Sequence, residues 1–221
     1  MSKTVLTISD LHLPFEHSKA LEFICRLYDE YQPDEVVNLG DEVDQYCFSL
    51  YGKSPEALGT RMELDLMYER LQDWYAIFPE MKLCYGNHTT RYLKRATEAG
   101  LPSDVIRSVK EFLGAPDGWE WADHWIIDDV MYFHGEPYGG KAAPNNMLQD
   151  AKVNRVHGHL HSLAGTKFET TLEGETIWIA SSGCLIDPDA YAFAYTKKNR
   201  VKDVLGTTVV VDGIPIFEPL R

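Results

Sequence analysis

Three short apolar runs, "TVLTIS" (4–9), "EVVNLG" (35–40) and "MKLCYG" (81–86), alternate with helix-length segments, and each stops at a polar residue or a Gly. Apolar, partly β-branched runs of this length, bounded by turn residues, are the pattern of buried strands. Between the first two, Leu21, Ile24, Leu27 and Tyr28 make an apolar stripe over about 17–31, limited by Pro33. A second stripe, with Met62, Leu66, Leu71 and Trp74, runs over about 61–78 and is stopped by Pro79. Stripes at this spacing bury one face of a helix, and proline cannot continue one. A strand–helix–strand–helix–strand opening predicts parallel pairing through right-handed crossovers, an α/β arrangement. Open sheets of that kind carry their sites at the carboxyl ends of the strands.

The second half changes character. Residues 45–60 read as an aromatic, Gly- and Pro-punctuated excursion, and helical segments are expected near 88–98 and 103–113. Beyond them come seven strand-like runs: "HWIIDD", "VMYFHG", "NRVHGHL", "TKFETTL", "TIWIAS", "GTTVVV" and "IPIFEP". "LEGET" and "VVDGIP" are turn signals between such runs and predict hairpins. A parallel first half and a hairpin-rich second half fit two sheets packed face to face with helices outside. Neither a linker nor a repeat interrupts the 221 residues, so one domain over 1–221 is expected.

Composition sets outer limits. A chain of this size buries roughly 70% of its unfolded surface and needs neither disulfide nor structural metal to fold. Cys25, Cys47, Cys84 and Cys184 show no CxxC spacing and read as reduced thiols. The start, "MSKTVLTISDLHLPF", breaks its apolar run at Asp10 and does not read as a signal peptide. No run approaches the ~18 apolar residues of a membrane span. A cytoplasmic protein with no membrane partner is expected. The net charge of −13 opposes tight, non-specific binding to nucleic acid, although a local cation can reverse the field in a cleft.

Five polar clusters follow predicted strands. They are Asp10 and His12 in "SDLHL", Asp41 and Asp44 in "GDEVD", Asn87 and His88 in "GNHTTR", His134 in "FHG", and His159 and His161 in "GHLH". Taken singly, each is more readily a cap or turn residue. Together they use five of the eight histidines, with carboxylate and amide oxygens and no cysteine. That donor mix suits Mn²⁺, Fe, Ni or Zn²⁺ and disfavours a thiolate site. A carboxylate shared by two cations points to a two-metal hydrolytic centre, with the ions roughly 3.5–4 Å apart.

The ordered series D-x-H, G-D-x-x-D, G-N-H, H-G, G-H-x-H resembles the calcineurin-like metallophosphoesterases over residues 10 to 161. The resemblance implies a four-layer αββα sandwich of two mixed β-sheets flanked by helices. It implies one metal on Asp10, His12, Asp41 and His161, and another on Asp41, Asn87, His134 and His159, with Asp41 bridging. Mn²⁺ is the favoured ion, with Fe, Ni or Zn²⁺ as alternatives. His88 would contact the phosphate and assist the leaving group. "SSGCLIDPDAYAFAY" is reminiscent of small phosphoesterases of bacteria and bacteriophages. Two departures count. "GNHT" lacks an acidic residue after the His, and "GDEVDQ" lacks the Arg usual in phosphoprotein phosphatases, which lowers the odds of that activity. His157 lies outside the motif and reads as a satisfied core histidine.

Two divalent ions lower the pKa of a water towards ~7 and clamp phosphoryl oxygens during in-line attack, so direct attack by a metal-activated hydroxide is expected. His88, with an ordinary pKa near ~6.5, suits proton donation. Catalysis therefore falls to Asp41 and His88. Substrate contact falls to Asn87, His88 and Arg91, with Tyr138 and Lys141 from the loop "HGEPYGGKAAPNN" as specificity candidates. The many aromatics flanking the motifs, Tyr46, Phe48, Tyr51 and Tyr191 among them, read first as core packing and second as stacking surfaces for a nucleobase. A phosphoesterase acting on a phosphodiester or nucleotide-like ester is the preferred reading. A nuclease is the alternative, although the basic run "TKKNRVK" (196–202) reads equally well as a solvated loop. A non-catalytic scaffold is the third, weakened because every ligand position is filled.

Overall fold

The computed structural model describes residues 2–140, 142–170, 172–198 and 200–221. Strand β1 (Val5–Ile8), helix α1 (Ala20–Tyr31), β2 (Glu35–Asn38), α2 (Thr60–Ile77) and β3 (Glu80–Cys84) form the opening expected from the sequence. α1 buries Ala20, Phe23, Ile24 and Leu27, and α2 buries Met67, Leu71 and Trp74. Both helices ride the same face of the sheet, where Leu6, Ile8 and Leu83 complete one apolar cluster with them. Each fully buried Leu or Ile there contributes ~1.5–3 kcal/mol of transfer free energy.

After β3 come α3 (Arg91–Glu98), α4 (Val109–Leu113), β4 (Gly118–Ala122), β5 (His124–Ile127), β6 (Val130–Phe133), α5 (Ala143–Gln149) and β7 (Asn154–His157). The chain finishes with β8 (Ala164–Thr170), β9 (Thr176–Ser182), β10 (Gly206–Val211) and β11 (Ile214–Pro219). The strands form a six-stranded sheet, ordered β11-β10-β1-β2-β3-β4, and a five-stranded sheet, ordered β5-β6-β7-β9-β8. β1 to β4 run parallel, while β10 is antiparallel to β1 and carries β11 as a hairpin. In the second sheet β6, β7 and β9 are parallel, and β5 and β8 close its edges antiparallel. Both sheets are mixed, and helices cover them from outside, a four-layer sandwich.

Period-two alternation explains the layering. Leu6 and Ile8 of β1 face the helices, whereas Val5 faces the second sheet beside Val37, Tyr132, Val156 and Ala180. A strand covered on both faces reads as an unbroken apolar run, which is how β1 looks in sequence. Three elements differ from expectation. "GWEWA", left unassigned, is β4 and extends the parallel sheet beyond β3. The helix expected over 103–113 is a short 3-10 turn followed by α4, which starts at a Ser108–Glu111 capping box. The loop after His134 contains α5, with Pro144 in its first turn, where a missing N–H costs little. Among the described residues no helix is long and apolar enough to cross a membrane.

Candidate metal centre

The parallel strands β1, β2 and β3 end at one edge of the sandwich, as do β6 and β7 opposite them, so all five clusters leave their strands at that edge. Asp10, His12, Asp41 and His159 sit in left-handed backbone, with φ of 49°, 53°, 54° and 66°. Such non-glycine positions cost of order ~1–3 kcal/mol each and persist only when the surroundings over-determine them. Two of the motif glycines have a different role from bending the chain. A Cβ on Gly86 would collide with the Asp41 carboxylate and amide, and one on Gly158 would come within 2.6 Å of Asp10 Oδ2 and Ser9 Oγ. Only a hydrogen fits where backbone passes this close to a carboxylate.

Each central carboxylate uses its two oxygens differently. Asp41 Oδ1 accepts from the backbone amides of His88 (2.7 Å) and Thr89 (3.3 Å). Its Oδ2 lies 3.1 Å from His134 Nε2 and 3.8 Å from His12 Nε2. Asp10 Oδ2 accepts from Ser9 Oγ and, at 3.0 Å, from the His159 amide. Its Oδ1 faces His161 Nε2 at 3.3 Å and His12 Nε2 at 3.8 Å. Asp41 thus has one oxygen held by the fold and the other pointing at imidazole nitrogens, whereas Asp10 Oδ1 is shared between those nitrogens and the His159 amide, which reaches it at 3.2 Å.

The histidines are oriented to match. His12 Nδ1 donates to Asp44 Oδ2 (2.8 Å), and His134 Nδ1 donates to the Leu39 carbonyl (3.0 Å). Each contact fixes the tautomer and leaves Nε2 aimed at the centre, as metal-ligating histidines require. There His12 Nε2 and His161 Nε2 are 3.2 Å apart, and Asn87 Oδ1 is 3.0 Å from His134 Nε2. Three sets have ligand atoms within 4.8 Å of one another: Asp10, His12 and His161; His12, Asp41 and His88; Asp41, His134 and His159. Buried carboxylates and imidazoles with converging lone pairs, and no thiolate, can hold borderline divalent cations.

The field points the same way. Burial alone would raise the Asp10 carboxyl, yet the His12 and His161 imidazoles hold it well below the carboxylate range. Burial works equally against ionised Asp41 and Asp44; His134 and His88 lower the first, and His88 and His12 the second. Burial would lower His12, but its bonds to Asp10 and Asp44 push it up to about 10. In the same way Asp41 outweighs burial and lifts His134 to about 9. The cluster favours positive charge at its centre, whether a proton or a metal ion carries it.

Asp44 is the residue the sequence undervalued. Fully buried, it accepts from His12 Nδ1, from His88 Nδ1 (3.1 Å) and, through Oδ1, from Arg91 Nη1 (2.9 Å). Arg91 also donates through Nη2 to His88 Nε2 at 3.0 Å. Phe193 is a second such residue, its ring edge-on to His12 at 5.3 Å and against His161 at 6.1 Å. The D-x-x-D spacing held a signal for Asp44; Phe193 belongs to the aromatics flanking the motifs, but nothing local set it against His12 and His161.

Asp10, His12, Asp41, Asn87, His88, Arg91, His134, His159 and His161 therefore gather at one place. Tyr138 stands apart: its ring meets Phe133 and its hydroxyl donates to Asp150 at 3.2 Å. Lys141 lies outside the described residues. His157 is a satisfied core histidine, completely buried between the Gly158 carbonyl and Ser181 Oγ, each at 2.8 Å.

No family model matches the chain. Gene 54 protein of Mycobacterium phage D29 is 38% identical over 164 residues, 72% of this chain and 58% of that protein. The chain thus spans less than two thirds of the curated relative it matches. Among solved structures, the phosphoesterase Yfce from E. coli aligns over 96% of this chain and 90% of its own, at 16% identity and a TM-score of 0.45. Vacuolar Protein Sorting 29 from Cryptosporidium parvum covers 99% and 97%, at 12% and 0.48. The nuclease MPE of Pseudomonas putida covers 97% and 87%, at 14% and 0.41. Function is accordingly read from the side chains.

Proposed function

We propose that this chain is a calcineurin-like, metal-dependent phosphoesterase that hydrolyses a phosphodiester or nucleotide-like phosphate ester. The observation that carries the proposal is the division of labour in Asp41, one oxygen pinned by two backbone amides and the other set between His12 and His134. Asp10, His12, Asp41 and His161 would hold one cation; Asp41, Asn87, His134 and His159 would hold the second, with Mn²⁺ preferred. When bound, the two ions supply Lewis acidity, neutralising phosphoryl oxygens and acidifying water.

The chain's own groups do the rest. Arg91, held on Asp44 and lining the cleft, presents fixed positive charge to a phosphoryl oxygen. Burial lowers the pKa of His88 and keeps its ring neutral. Asp44 on Nδ1 and Arg91 on Nε2 fix the ring at the cleft, and His88 would exchange a proton with the ester oxygen at Nε2 once Arg91 Nη2 turns from the ring to a phosphoryl oxygen. The free cysteines support a reducing, cytoplasmic setting.

Protein supplied with manganese, assayed by elemental analysis and with p-nitrophenyl phosphate esters, tests the proposal. Stoichiometric metal and turnover are expected, and Asp41→Asn should lose both. His88→Ala should keep its metal while turnover falls by ~10²–10⁴. Absence of both bound ion and hydrolysis overturns the proposal, and parent-rate turnover by His88→Ala removes that residue's role.

A further inference from the structure

Two grooves, not one, leave the cluster. The larger, about 770 Å³, passes His88 and His159 between Tyr46, Lys53 and Tyr191. The smaller, about 240 Å³, runs past Phe48, Leu50, Lys94 and Glu136. Ser49, Tyr51, Asn87 and Arg91 line both, so the grooves join at the edge of the metal cluster. Tyr51 stands between them with 84% of its surface exposed.

The larger groove has a preorganised aromatic wall. Tyr46 Oη accepts from the Ser54 amide at 2.7 Å and Tyr191 Oη accepts from the Leu58 amide at 3.3 Å. Their rings meet edge-on at 5.3 Å, and Phe15 backs Tyr191 at 4.9 Å. These bonds tie down the excursion 45–60, so the wall is built before any ligand arrives. Its volume is that of sites for whole organic ligands, several times what a phosphate alone occupies. The smaller groove is bounded by the Lys94–Glu136 ion pair at 3.3 Å and by Leu50, 54% exposed.

Resting on the phosphoesterase reading, we infer that the substrate is a phosphodiester whose two arms occupy the two grooves. A planar aromatic arm, of nucleoside size, lies in the larger groove, and a smaller arm lies beside Leu50. A phosphorus atom at the junction by Asn87 and Arg91 sends one ester substituent each way. A monoester has one substituent and would leave one groove unused.

The test compares bis(p-nitrophenyl) phosphate with p-nitrophenyl phosphate on Mn²⁺-loaded protein, for the parent, Leu50→Ser and Tyr51→Ala. A kcat/KM for the diester at least about tenfold above that for the monoester is expected. Leu50→Ser should raise KM for the diester about three- to fivefold, and by a clearly larger factor than for the monoester. Tyr51→Ala, which removes a surface shared by both grooves, should raise KM for both esters by about fivefold or more. Calorimetric titration of metal-free protein with diphenyl phosphate supplies a readout apart from turnover, and Leu50→Ser should weaken that binding by the same factor. Monoester preference, or equal response of both esters to Leu50→Ser, overturns the two-arm inference while leaving the phosphoesterase reading intact. Failure of metal-loaded protein to cleave either ester overturns both.

Discussion

Asp44→Asn is the most informative single change because the amide has the carboxylate's shape but cannot satisfy its surroundings. Asp44 Oδ2 accepts from two imidazole Nδ1 atoms, and Oδ1 accepts from Arg91. If the asparagine oxygen faces the histidines, its NH₂ meets the guanidinium, donor against donor. If the oxygen faces Arg91, the NH₂ meets both rings, and each must move its proton to Nε2. On His12 that nitrogen points into the cluster and would no longer ligate. A charge-assisted bond contributes ~1.5–3 kcal/mol, and breaking a buried ion pair costs ~3–5 kcal/mol. The Arg91 side chain is 19% exposed, which tempers the ion-pair share, so a loss of about 3 kcal/mol is expected. At roughly 2–4 °C per kcal/mol for a chain of this length, Tm should drop by about 6–12 °C. Urea titration of metal-free protein measures the stability term, and calorimetric Mn²⁺ titration measures the second effect, an affinity loss of about 10–100-fold. Stability within about 0.5 kcal/mol of the parent, typical of a surface change, together with unchanged Mn²⁺ affinity would refute this account of Asp44.

Three further outcomes are expected. Gly86→Ala forces a methyl group into Asp41, so Mn²⁺ stoichiometry should fall, with a stability cost of ~1–3 kcal/mol; normal metal content by elemental analysis would contradict the close-approach reading. In the metal-free protein His12 and His134 titrate near 10 and 9, so Mn²⁺ binding at pH 7 to 8 must displace protons, and affinity should rise with pH by about tenfold per unit for each proton displaced. Calorimetry in buffers of different ionisation enthalpy reads that release, and a pH-independent affinity would exclude it. Burial pushes His157 down to about 4, below its unfolded value of 6.5, so its contribution to stability is fully present above pH 6.5 and is lost as the pH falls through about 4. Its ring protons in NMR should hold neutral shifts down to about pH 5, and a midpoint above 6 would show the ring to be solvated.

Much of this was legible along the chain. Periodicity alone placed β1, β2, β3, α1 and α2, and the turn residues placed the β8–β9 and β10–β11 hairpins. "GWEWA" escaped because its alternation, Trp119 and Trp121 about Glu120, spans only three residues, and pairing with β3 is what makes it a strand. α5 escaped because a seven-residue helix has too few turns for a stripe to stand out. At the site, the residue types and their positions after strands pointed to metal chemistry, while Tyr138, adjacent to a motif in sequence, turned away onto Phe133.

The order of amino acids alone dictates which side chains are available and that parallel strands will deliver them to one edge, since both follow from composition and local periodicity. Which oxygen of Asp41 faces the centre, why Gly86 and Gly158 must lack a Cβ, and that Asp44 joins His12, His88 and Arg91 depend on segments distant in the chain. These are contacts across three dimensions, set by the pairing of β1, β2 and β3 side by side and, for Gly158 on Asp10, by packing one sheet against the other. No local pattern encodes a distance between strands that meet only after folding.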